Sequence, residues 1–133
     1  MIPLLITAWS VWRLARGLHA DDWRRPGWFA HAAWVSLVIT LIAWFRGLFS
    51  GGLDTEEACQ YWHHQPYDET YRRAHLDDWS RLFPLSNKCN AGYDLVPVWV
   101  NPTVAVFSLA FVAALAGLVW TSANRLWRRR RAS

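Results

Sequence analysis

At 133 residues, with 53% apolar or aromatic and 18% charged side chains, the chain is too apolar for a disordered segment and too short for a multi-domain enzyme. Eleven tryptophans and a net charge of +4, carried by thirteen arginines and one lysine, favour side chains that sit well at a membrane-water boundary. The composition predicts an all-α integral membrane protein with the bilayer as its first partner.

Residues 1–20 open with about twelve apolar residues before Arg13, and as a helix these cover roughly 18 Å, too little to cross a bilayer alone. Continuing to Leu18 gives roughly 27 Å if Arg13 and Arg16 snorkel to the interface. Two readings stand: a short span, or an amphipathic helix lying in the interface with Thr7, Ser10, Arg13, Arg16 and His19 as its polar stripe. The charges follow the apolar run instead of preceding it, which is the wrong order for a cleaved signal peptide.

Residues 21–27 form a basic linker, and residues 28–49 hold the first full span. Trp28 to Phe45 is free of formal charge and reaches roughly 27 Å as a helix, close to one hydrocarbon thickness, with Trp28 and Trp44 bracketing it.

Residues 50–100 contain both cysteines, Cys59 and Cys89. Asp54 and Glu57 resemble a capping box that opens a short helix through about His64, ended by Pro66. A second helix is expected from Asp68 to Leu82. It carries three acid-then-base pairs at i,i+4 (Asp68 with Arg72, Glu69 with Arg73, Asp77 with Arg81) and an apolar face of Tyr71, His75, Trp79 and Leu82. Pro97 argues against a central strand over residues 94–100.

Residues 101–123 hold the second full span, with Asn101 as N-cap, Pro102 at the first helical position, and Trp99 and Trp120 at the two boundaries. Residues 124–133 form a basic tail. Arginines flank the N-terminal side of the first span and the C-terminal side of the second, whereas residues 50–100 hold eight acidic residues against four basic ones. The positive-inside rule therefore puts both flanks in the cytoplasm, the 50–100 segment outside a plasma (cytoplasmic) membrane, and the two cysteines where a disulfide persists. There the arginine tail reads as a membrane anchor, and no nucleic-acid partner is expected.

His63, His64 and His75 are weak candidates for a metal site: adjacent histidines on a helix point about 100° apart, and the spacing fits no ligand motif. His31, the one histidine inside a full span, lacks a matched axial partner for haem. No nucleophile, paired-carboxylate or phosphate-loop motif occurs, so neither catalysis nor a cofactor is expected. The spans offer instead two seams of small residues, Ala33, Ser36, Thr40, Ala43 and Gly47 in the first, and Ala110, Ala114, Gly117 and Thr121 in the second. Seams of this kind let membrane helices approach closely. The leading expectation is a non-catalytic accessory or interaction subunit that packs through its helices, on another membrane protein or on itself, and recognises a partner through the 50–100 segment. A subunit of a transporter or channel, and a metal or redox site in that segment, are the alternatives.

Overall fold

The computed structural model describes residues 1–133, and the chain divides into two compact units, residues 1–40 with 106–133, and residues 41–105. The protein is mostly helical. In order come α1 (Ile2–His19), α2 (Pro26–Leu48), α3 (Thr55–Glu57), one π-helical stretch (Ala58–Trp62), α4 (Glu69–Ala74), α5 (Leu76–Trp79), strands β1 (Lys88–Asn90) and β2 (Tyr93–Asp94), and α6 (Val100–Ala132). Two helices, α2 and α6, are long and apolar enough to cross a membrane.

In the first unit, α1 ends where Ala20 N–H donates to Arg16 O and Asp21 turns left-handed with φ 56°, a conformation Asp tolerates better than most residues. Pro26 then opens α2, where a missing N–H is harmless. The two helices run antiparallel, joined by polar contacts. Trp34 Nε1 donates to Thr7 Oγ1 at 3.2 Å, Ser10 Oγ lies 2.9 Å from His31 Nδ1, and Trp28 Nε1 donates to Leu14 O at 3.2 Å. The polar stripe of the interfacial alternative is thus divided: Ser10 is buried and Thr7 is engaged, while Arg13, Arg16 and His19 stay exposed. The apolar residues of α1, among them Leu4, Leu5, Trp9 and Leu18, face outward.

The second unit has two small cores. Ala43, Leu85, Val96, Val100 and Val104 form one, with Trp44 against it; Ala58, the Cys59–Cys89 disulfide and Leu95 form the other, flanked by Tyr67 and Tyr93. Four expectations need correction here. The fold is not purely helical, because β1 and β2 form an antiparallel ribbon pairing Lys88 with Asp94 and Asn90 with Tyr93. Asp54 does cap α3, accepting from Glu56 N and Glu57 N, but the helix passes into a π turn and stops before His64, whose φ of 51° is incompatible with continuation. The helix expected over 68–82 is two pieces broken at His75, because the His75 ring nitrogen contacts Tyr71 O and Trp79 Nε1 donates to Arg72 O. Finally, α6 begins at Val100 and runs on through the arginine tail to Ala132, so Asn101 is not its cap. Asn101 instead accepts from Leu85 N and donates to Leu85 O, both at 2.8 Å, holding the segment before β1 to the start of α6.

Candidate functional site

The second unit is built around Arg72 and Asp94. Arg72 Nη1 donates to Asn87 Oδ1 at 2.9 Å and to Lys88 O at 2.7 Å, and its guanidinium lies 4.7 Å from the Trp79 ring centre and 5.7 Å from that of Tyr67. It is therefore used for tertiary structure and not for pairing with Asp68, which caps α4 by accepting from Tyr71 N. Of the three expected i,i+4 pairs only Glu69 with Arg73 forms, and Arg81 pairs with Asp78 instead of Asp77. Asp94 Oδ1 accepts from Asn87 N and Val96 N, each at 2.9 Å, and its Oδ2 accepts from Ser86 Oγ at 3.1 Å. One carboxylate thus satisfies three donors in a stretch that has little regular hydrogen bonding of its own.

The face expected to recognise a partner packs in part on itself. Tyr71 stacks on His75 with ring centres 4.1 Å apart, and Tyr71 and Trp79 are half-buried. Leu82 stands apart from them and is exposed; its carbonyl accepts from Trp44 Nε1 at 2.9 Å. The histidines are dispersed. His63 Nδ1 lies 2.9 Å from Tyr93 OH, His64 sits on the left-handed residue, His75 is tied to Tyr71, and no three His, Cys, Asp or Glu side chains gather as metal ligands.

The seams lie on packed faces, with one exception. Ala33, Ser36, Ala43 and Gly47 are buried, and Thr40 has a buried hydroxyl oxygen with no hydrogen-bond partner. A Cβ on Gly47 would lie 2.6 Å from Leu85 Cδ1 and 2.8 Å from Val100 Cγ1. Within the first unit, a Cβ on Gly117 would lie 2.5 Å from two atoms of the Phe29 ring, so the glycine is the space that ring occupies. Ala114 is buried beside it in sequence, and Thr121 Oγ1 donates back to Gly117 O at 2.8 Å. Ala110, further along the same stripe, is exposed. At Gly47 and Gly117 the seams meet side chains of this same chain.

A different surface is free. Leu53 is fully exposed, and Phe49, Tyr61 and Trp62 are exposed to 60%, 73% and 75%. Phe49, Leu53 and Trp62 line a cavity of about 340 Å³ together with Gly51, Gly52 and Ala58. A periodicity search passes over these residues because they fall on no common helical face. The signal that finds them is large apolar side chains on both sides of a Gly-Gly turn in an otherwise charged segment. No protein-family model matches the chain, and it matches no curated protein and no solved structure.

Proposed function

We propose that this is a small, non-catalytic integral membrane protein, an accessory or interaction subunit whose disulfide-linked segment faces outward and docks a membrane-protein partner on the surface formed by Phe49, Leu53, Tyr61 and Trp62. The observation that carries the reading is the exposure of apolar surface. Only 17% of the apolar window of α2 and 11% of that of α6 is buried within the protein, leaving two faces of membrane-spanning length without cover. Lipid covers such faces, whereas water does not tolerate apolar patches of that size. The first unit is also inside-out in the sense expected in a bilayer: Ser10, Thr7 and His31 are engaged between helices while Leu4, Leu5, Trp9 and Leu18 face outward. On that reading α1 enters the bilayer beside α2 instead of lying flat on it.

The outward segment has the properties of a recognition surface. A disulfide fixes its backbone, Tyr61 and Trp62, of the types that dominate interface energetics, are exposed, and Trp62 lines the concavity. Alkaline carbonate extraction of native membranes, followed by purification in mild detergent, tests both halves. The chain should stay in the membrane pellet and purify with a partner in fixed stoichiometry. Leu53→Ala with Trp62→Ala should lower partner occupancy at least tenfold, and His63→Ala with His64→Ala should leave it unchanged. Extraction by carbonate would overturn membrane integration, and retention of the partner by the Leu53 and Trp62 variant would overturn the docking surface.

A further inference from the structure

In the first unit, a cavity of about 480 Å³ is lined by four arginines, Arg13 and Arg16 of α1, Arg25 of the turn that follows it, and Arg125 of α6. One carboxylate, that of Asp22, lines it too, and it is already paired with Arg25 at 2.5 Å. Arg13, Arg16 and Arg125 make neither an ion pair nor a hydrogen bond within the protein; Arg16 only rests over the Trp12 ring. Three guanidinium groups, two from α1 and one from the far end of the chain in α6, thus line one space whose single carboxylate is already paired with Arg25, an arrangement that an anion relieves. The N-terminus of α2 adds to the field. Gly27 lines the cavity with open space around it, the first turn holds no acidic residue, and the first N–H groups of a helix of 23 residues carry partial positive charge.

We propose that this cavity binds the phosphate group of an anionic phospholipid. Arginine forks match phosphate oxygens in a two-pronged geometry, and cavities of several hundred cubic ångströms suit a headgroup. The lipid source, as against a soluble phosphate, follows from the wall. Trp28 packs on Gly17 so closely that a Cβ there would meet its Cδ1 at 2.5 Å, and its indole N–H is taken by Leu14 O. The ring is thus held at the start of the apolar run of α2, where acyl chains can lie against the helices while the phosphate reaches the arginines. The inference rests on the membrane reading above.

The test uses the full chain in detergent, titrated with phosphatidylglycerol, with phosphatidylcholine and with inorganic phosphate as separate probes. Phosphatidylglycerol should bind saturably, at least tenfold more tightly than phosphatidylcholine, with inorganic phosphate failing to displace it at equal concentration. Arg13→Gln, Arg16→Gln and Arg125→Gln together should weaken it at least tenfold, while Arg128→Gln, Arg129→Gln and Arg130→Gln, which remove the same charge from the tail, should change it less than threefold. All six side chains are exposed, so the substitutions leave the packing alone, and Arg125→Gln by itself should give a several-fold loss. Equal losses in the two triple variants would reduce the effect to bulk charge and overturn the site, as would non-saturable binding; displacement by inorganic phosphate would overturn the lipid assignment. A chain that resists carbonate extraction yet shows no preference for phosphatidylglycerol refutes the site alone, whereas a chain that carbonate releases refutes the membrane reading and the site with it.

Discussion

At the scale of single residues, Arg72 ties its own helix and the nearby rings of Tyr67 and Trp79 to Asn87 and the start of β1 at Lys88. Arg72→Gln removes a charged fork and its stacking partners together, and should destabilise the second unit by about 2 to 3 kcal/mol. The measurement is amide exchange at residues 88–90, which should speed up while exchange in α2 stays slow. Arg72→Lys should rescue little, since an ammonium cannot lie flat against a ring while donating to two oxygens. Thr40 gives the opposite expectation. Its buried hydroxyl has no partner, so Thr40→Val, which keeps the shape, should leave the thermal midpoint in detergent unchanged or raise it, by less than about 1 kcal/mol in stability.

At the scale of elements, the two units depend on different things. The second has short helices, a two-stranded ribbon and a disulfide that closes a separation of 30 residues. Replacing both Cys59 and Cys89 by Ser should cost roughly 3 to 4 kcal/mol in the chain-entropy picture. Limited proteolysis should then cut between residues 50 and 100 and spare α2 and α6. The first unit depends on close helix approach, so Gly117→Leu should displace Phe29 and lower the thermal midpoint even in a monomer, where Ala110→Leu, on an exposed face, should not. The sequence made α2 and α6 legible because an apolar run of that length has few other uses. The cap at Asp54 and the cysteine pair were legible for equally local reasons, a side chain beside its own helix start and a pair with no third competitor. What pattern reading misplaced was settled by tertiary demand. Asp68 and Arg72 satisfy i,i+4 spacing, but one was needed as a cap and the other as a cross-link to β1, and strands of three and two residues are too short to show alternation. Likewise, a sequence does not say what a small-residue seam meets: at Gly117 it is the Phe29 ring of the same chain.

At the scale of the whole molecule, the topology we propose makes a sharp expectation. A reporter fused after Gly52 should be active only outside the membrane, and one fused after Ser133 only in the cytoplasm. A cytoplasmic Gly52 fusion would reverse the orientation and move the docking surface to the other side. The helical continuation of α6 through Arg128, Arg129, Arg130 and Arg131 has its own consequence. Four consecutive residues on an α-helix step round its axis by about 100° each and so point in every direction. In a bilayer that collar of charge sets how deep the helix sits, because no azimuth lets the arginines leave the interface. It exerts no torque that would choose which side of the helix faces which neighbour. On the proposed membrane reading, depth and rotation fall to separate residues: the arginine collar is a float line, and the seating of the Phe29 ring on Gly117 is the key that fixes the angle.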